Sequence, residues 1–291
     1  MEISQPAINS QSHALRGVLW MLGAVLSFAA MAVAVRELQR HMGSFEILFL
    51  RSVVMLAIVG AMLARSGTAA ARTQRIGLHV LRNTLHFAGQ YFWVYSIGAL
   101  ALATVFAIEF TMPVWTAILA AMFLGERLNQ GRIVQLVLGL AGVLIILRPG
   151  VGLFQVAALV MILGSMCYAA TLICTKQLSA TDSPLAVLLW MSVVQMPIAL
   201  VAAATQWTAP LPIDVPWILA IGAGSSTAHY CMTRAMTLAD AMVVVPIDFI
   251  RLPLIAVVGA LYYAEPFDPM VLVGAAVIFA GTYYSLSREA R

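Results

Sequence analysis

Between Arg16 and Arg36 the chain runs for nineteen residues, 17–35, without a single charge. At ~1.5 Å per residue that run makes a helix about as long as the ~30 Å hydrocarbon core of a bilayer is thick. The pattern recurs. Charges and turn residues cut the chain into ten apolar segments, near 15–36, 45–64, 79–98, 103–124, 132–147, 153–176, 185–204, 215–236, 241–263 and 268–286. Ten crossings of ~20 residues each take most of the 291 residues and leave only loops and tails. The chain is 62% hydrophobic and 10% charged, whereas soluble domains run at about 45–50% and about 25%. A globular surface cannot hide that excess, so an all-α integral membrane protein of ten transmembrane helices is expected. The first run is longer than a signal-peptide core and no basic region precedes it, so it is expected to stay as the first crossing.

Orientation follows from where the positive charge falls. The net charge of +4 is scattered over span ends rather than clustered, which argues against nucleic acid as a partner. With an even number of spans both ends lie on one side. If that side is the cytoplasm, the inside segments hold Arg16, Arg65, Arg72, Arg75, Arg127, Arg132, Lys176, Arg288 and Arg291, and the outside ones only Arg36, Arg40 and Arg148. The positive-inside rule then predicts cytoplasmic N- and C-termini in a bacterial inner membrane, with tails at 1–14 and 288–291. Cys167, Cys174 and Cys231 sit in apolar stretches, odd in number and without a CxxC pair, so packing is expected rather than disulfides or metal.

The chain also resembles itself at a period near 140. Residues 36–54 align with 176–194, placing Leu38 on Leu178, Leu48 on Leu188, and Ser52-Val53-Val54 on Ser192-Val193-Val194. At an offset of 139, Tyr91 falls on Tyr230, Ile108 on Ile247, Phe110 on Phe249 and Ala141-Gly142 on Ala280-Gly281. Two acidic matches, Glu109 with Asp248 and Glu126 with Glu265, carry more weight because the chain has only 12 Asp and Glu. A unit of five spans forces the second copy to insert upside down, so the halves 15–148 and 149–287 are expected to form an inverted repeat. That is the architecture of secondary transporters, with the solute site near the midplane between the halves.

Phe110-Thr111-Met112-Pro113, followed by Leu124-Gly125-Glu126-Arg127-Leu128, resembles the EamA domain of the drug/metabolite transporter superfamily, and Tyr263-Ala264-Glu265-Pro266-Phe267 reads as its degenerate second copy. The resemblance covers roughly residues 15–287. It implies a carrier of small metabolites, a group that includes exporters of amino acids and opine-type metallophores and carriers of riboflavin, S-adenosylmethionine and nucleotide sugars. It also implies that the fifth helix of each half, 132–147 and 269–286, is peripheral scaffold around eight helices that enclose a cavity.

A charge at the bilayer centre costs about 2.5–3.5 kcal/mol on insertion scales and therefore needs a partner or a purpose. Candidates are Arg51, Arg82, Glu109, Arg234, Asp248 and Arg251, with His86, Gln90, Gln195 and His229. Glu109 and Asp248, one in each half, suit a coupling or gating pair; the alternative is that each neutralises a structural arginine. Asp248 and Arg251 are three apart and can pair on one helix. Arg51 is the stronger anion-binding candidate, and Arg234 is a second, either at the cavity mouth or snorkelling. On the third span Arg82, His86, Gln90 and Trp93 form a stripe, as do Ser225, Ser226, His229 and Thr233 on the eighth, and such stripes must face protein or water. Histidine titrates near neutrality, so His86 and His229 are candidates for a proton relay as well as for helix-to-helix hydrogen bonds. Trp93, Tyr91 and Tyr230 suit either stacking on a planar solute or packing. Pro113, Pro246 and Pro253 lie beside the carboxylates, where kinks free carbonyls and suit gating helices or simply shape the bundle.

Three arginines counted as deep (Arg51, Arg234, Arg251) against two carboxylates favour a zwitterionic or anionic solute. The expected function is a secondary transporter of such a metabolite working by alternating access, toward export, with protons or exchange as the coupling. The alternatives are uptake of riboflavin or S-adenosylmethionine and, more remotely, a non-transporting membrane subunit or an intramembrane enzyme. The chain has no HExxH or GxGD motif and no P-loop, so neither an enzyme nor an ATP-driven pump is expected, and no cofactor. A monomer or homodimer would serve.

Overall fold

The computed structural model describes residues 7–124, 129–148 and 156–289. Among them twelve α-helices follow one another: α1 (Ala7–Leu38), α2 (Ser44–Ser66), α3 (Ile76–Ala99), α4 (Leu102–Glu109), α5 (Met112–Leu124), α6 (Gln130–Leu147), α7 (Val156–Leu178), α8 (Pro184–Ala203), α9 (Val215–Leu238), α10 (Ala241–Phe249), α11 (Arg251–Tyr263) and α12 (Pro269–Glu289). Local chemistry opens several of them. The Asn129 side chain accepts the Arg132 N–H at the start of α6, and Ser183 accepts the Ala186 N–H at the start of α8, where Pro184 follows. Both are standard N-cap arrangements.

The number of helices exceeds the expected ten because the fourth and ninth segments are each broken. α4 stops at Glu109 before α5 begins at Met112, and α10 stops at Phe249 before α11 begins at Arg251. Proline explains both breaks. Pro113 and Pro253 cannot donate to the carbonyls of Glu109 and Phe249 four residues earlier, so neither ladder continues through. Pro246 lies inside α10. With each broken pair taken as one segment, eight helices among the described residues are long and apolar enough to cross a membrane. The other two long helices, α3 and α9, each 24 residues, are the ones that carry the polar stripes.

The repeat is visible in which helices pack together. α1 lies against α9 and α3 against α7, contacts that exchange when the halves exchange, while α2–α8 and α6–α12 pair equivalent helices and α4–α11 joins opposite halves of the equivalent broken segments. The equivalent helices run antiparallel, as inversion demands. Gly131 at the start of α6 faces Ser285 and Arg288 at the end of α12, and mid-helix Gly142 faces Gly274 and Ile278. A Cβ on Gly142 would stand 2.6 Å from the Gly274 carbonyl oxygen, and one on Gly274 would stand 2.7 Å from the Gly142 carbonyl oxygen. Small residues thus let two backbones touch where lipid supplies no hydrophobic drive for association.

At each end of the bundle a histidine–aspartate contact ties a helical hairpin to the start of the third helix of the other half. His79 of α3 meets Asp182 of the α7–α8 hairpin at 2.7 Å, and His41 of the α1–α2 hairpin meets Asp214 before α9 at 3.3 Å. The two contacts use the repeat with the residue types swapped. Burial alone would raise the Asp182 carboxyl, but hydrogen bonds from Thr73, His79 and Thr181 outweigh it and hold the carboxyl below its ordinary value.

Two outcomes follow. Gly142→Leu is expected to force α6 from α12 and cost about 1–3 kcal/mol, read as a lower Tm of the protein in nanodiscs. A carboxyl held low contributes stability that is fully present above its unfolded pKa and is lost as pH falls through its folded value. Melting across pH 3–7 should therefore show Asp182→Asn destabilised near neutrality, with the difference from wild type shrinking below about pH 4.

Candidate transport site

Two broken helices converge at the middle of the molecule and bring the carboxylates of both halves to one cation. Arg251, the first residue of α11, reaches Glu109 Oε1 at 3.1 Å and Asp248 Oδ2 at 3.6 Å through the same Nη2. Glu109 is the last residue of α4 and Asp248 the next-to-last of α10. At each break the partially negative C-terminus of one helix adjoins the partially positive N-terminus of the next, so the helix ends largely offset each other and the guanidinium is the main answer to the carboxylates. Trp93 of α3 donates its Nε1–H to Glu109 Oε2 at 2.8 Å, which places it in the site as a hydrogen-bond donor.

Aromatic rings surround this guanidinium. Its carbon lies 4.6 Å from the ring centre of Phe28 and 5.0 Å from those of Phe106 and Phe110. Phe110 stacks in turn on its repeat-equivalent Phe249, with centroids 4.1 Å apart. Asp248 Oδ1 and Arg251 Nε are both buried without a hydrogen-bond partner among the described residues.

A second cluster has the opposite sign. Arg51 is 1% exposed and Arg82 5%, yet among the described residues neither meets a carboxylate. Arg51 donates to Ser225 Oγ at 3.0 Å and to Gln195 Oε1 at 2.6 Å. Arg82 donates to Thr175 Oγ1 and Asn83 Oδ1. With its oxygen taken by Arg51, Gln195 turns its amide N–H to the Asn83 carbonyl and to His86 Nδ1, at 3.1 and 3.0 Å. His86 Nδ1 therefore accepts, and its proton is on Nε2. Rings link the clusters: His86 lies 5.6 Å from Tyr168 and 5.7 Å from His229, and His229 lies 5.9 Å from Phe28, which covers Arg251.

Most of the residues singled out from sequence meet here, but not all. Arg51, His86, Trp93, Glu109, His229, Asp248 and Arg251 belong to this connected core, with Pro113 and Pro253 at the helix breaks. Gln90 is buried one turn from His86 on α3, its Oε1 unpartnered among the described residues. Arg234, counted among the deep arginines, is a correction. It is exposed near the end of α9, with its guanidinium 5.9 Å from the Trp20 ring. The third buried arginine is Arg82, whose stripe of polar neighbours was the available signal. Tyr91 and Tyr230 pack against Phe45 and Trp20. Among the described residues no His, Cys, Asp and Glu gather as a metal site.

The EamA-like transporter family model matches residues 15–148 and 155–287. The chain belongs to that family. Three curated relatives span it almost end to end. A riboflavin transporter of Brucella anthropi is 31% identical, over 92% of this chain and 98% of its own. An S-adenosylmethionine uptake transporter of Rickettsia bellii is 27% identical, over 94% of each chain. A pseudopaline exporter of Pseudomonas aeruginosa is 24% identical, over 90% and 93%. A crystal structure 15% identical superposes with a TM-score of 0.67 over 92% of this chain and 95% of that one, which shows the shared fold. The protein is thus a multi-pass bacterial membrane transporter and not an enzyme, in keeping with the expectation from sequence.

Within this EamA-like transporter the second acidic motif has a visible task. Glu265 accepts the Leu102 N–H at the start of α4 at 2.8 Å and pairs with Arg36 at 2.7 Å. It therefore ties the α3–α4 and α11–α12 connections to the end of α1, away from Arg251. The first copy, residues 125–128, lies outside the described residues. The aromatic rings around Arg251 carried no signal, because a phenylalanine among so many apolar residues does not stand out. Trp93→Phe, which removes a hydrogen bond to a charged group, is expected to cost about 1.5–3 kcal/mol, whereas Trp115→Phe, whose Nε1 bonds only the neutral Thr111 hydroxyl, should cost about 1. Denaturation of both variants side by side measures the difference.

Proposed function

We propose that the chain is a secondary carrier for a small polar metabolite, crossing the bacterial inner membrane by alternating access between its two halves. The observation that carries this reading is the convergence of Glu109 and Asp248, one from each half, on a single guanidinium at two broken helices. A bond shared between halves must be remade when they rock against each other, so it senses which way the site faces. Ten crossings with cytoplasmic termini fit the positive-inside count and the lengths of α3 and α9.

Arg51 is the residue proposed to receive the solute's anionic group. It is buried, bonded to neutral acceptors, and linked through His86 to the aromatic centre. A carboxylate or phosphate would supply the counter-charge that Arg51 and Arg82 lack among the described residues. The relatives named for riboflavin and S-adenosylmethionine uptake and for pseudopaline export handle solutes with ring systems, charged groups or both, which supports an amphoteric or planar metabolite. A carrier of this symmetry runs in whichever direction the gradients drive it. Protons are the proposed coupling ion where exchange does not suffice.

Counterflow in proteoliposomes, with a panel of amino acids, flavins, sulfonium nucleosides and metallophores, tests the reading. Saturable exchange of one class is expected, and no exchange of any under any ion gradient would overturn it. Glu109→Gln and Asp248→Asn should each lower transport at least tenfold in protein that still elutes as a folded species. Arg51→Lys keeps the charge but loses the planar fork, so it should raise KM at least tenfold; an unchanged KM would return Arg51 to a structural role.

A further inference from the structure

The inverted repeat brings one carboxylate from each half to the cradle around Arg251, but the rest of it is asymmetric: Phe28, Phe106 and Phe110 all come from the first half and the one guanidinium from the second. Glu109 aligns with Asp248, Phe110 with Phe249, and Phe28 with Tyr168 at an offset of 140, but Arg251 falls at an offset of 139 on Met112. Two carboxylates and three phenyl rings therefore share one guanidinium. The side-chain inventory leaves the site one positive charge short, and the helix ends at the two breaks, being of both signs, do not make it up. Asp248 Oδ1, buried and unpartnered among the described residues, marks where that deficit lies. Rings stacked around a cation beside carboxylates are how proteins hold organic cations, and in broken-helix carriers the C-terminal ends of half-helices favour cations.

We propose that the cradle of Glu109, Asp248, Phe28, Phe106 and Phe110 is an organic-cation site, which Arg251 fills as a tethered occupant and from which the cationic group of a solute displaces it. Arg251 suits this role because it hangs from the first residue of α11, next to the helix break, where a small backbone rotation withdraws it. While the site holds no solute, Arg251 keeps the carboxylates neutralised; when a solute cation enters, the guanidinium is released toward the solute's anionic side. As a step in transport this rests on the carrier reading, but as a binding site it does not.

Methylguanidinium, whose methyl protons report by saturation-transfer NMR, is the probe, with full-length protein in nanodiscs. In wild type the tethered guanidinium competes, so Arg251→Ala should bind methylguanidinium at least tenfold more tightly. Adding Glu109→Gln should abolish the gain, and adding Phe28→Leu should weaken it severalfold. Arg251→Lys, still a tethered cation, should behave like wild type. An Arg251→Ala affinity equal to wild type, or a gain that survives Glu109→Gln, would overturn the proposal. Should Arg251→Ala and Arg251→Gln unfold on purification, recovery in saturating methylguanidinium is the expected result, and no recovery overturns the proposal. Cradle-dependent binding without counterflow of any solute would sink the carrier reading and leave the site. Counterflow with no gain in Arg251→Ala would do the reverse.

Discussion

In hydrocarbon a charge can be answered only by another part of the protein, and this chain's interior is arranged around a few such answers. Arg251 is the clearest. Its guanidinium accounts for why α4 and α10 can carry carboxylates at their ends in mid-structure, and for why three phenylalanines, from α1, α4 and the break after α4, crowd one spot. Trp93 extends the same bond to α3. Five helices and both halves of the repeat are thereby held to one small volume. The cationic cluster of Arg51 and Arg82 is answered differently, by neutral oxygens on α3, α7, α8 and α9. Such oxygens solvate a cation without cancelling it, so the interior is polarised from one cluster to the other.

Scarcity made part of this legible in the sequence. Acidic residues are so few that the alignment of Glu109 with Asp248 stood out, and polar stripes on α3 and α9 were conspicuous against an apolar background. The helix breaks were half visible. Their prolines were evident, but Pro113 and Pro253 lie just after the breaks, so a smooth kink was the natural expectation where the ladder in fact stops. Depth along a helix was readable at ~1.5 Å per residue, but direction around it was not. Hence Arg234 was counted as deep although it is exposed beside Trp20, while Arg82 proved buried. Phe28 and Phe106 could not be told from packing residues, because what distinguishes them is a cation brought from a segment more than 140 positions later.

The paired histidine–aspartate contacts show the repeat keeping a function while changing its residues. At one end the histidine comes from the third helix and at the other from the hairpin, so sequence alignment at a fixed offset passes over both. What the repeat preserves is the tie between hairpin and helix start, not the identity of the atoms that make it.

The contact of Gly142 with Gly274 has one more consequence. α6 and α12 exchange places under the symmetry that relates the halves, so the helix pair straddles the axis and the contact has a counterpart, Gly281 against Gln135, on the other side of it. In the proposed cycle, where the halves trade inner and outer roles, a helix pair astride the axis looks the same before and after. Held close at both points, it is suited to be the fulcrum about which the rest of the bundle tips.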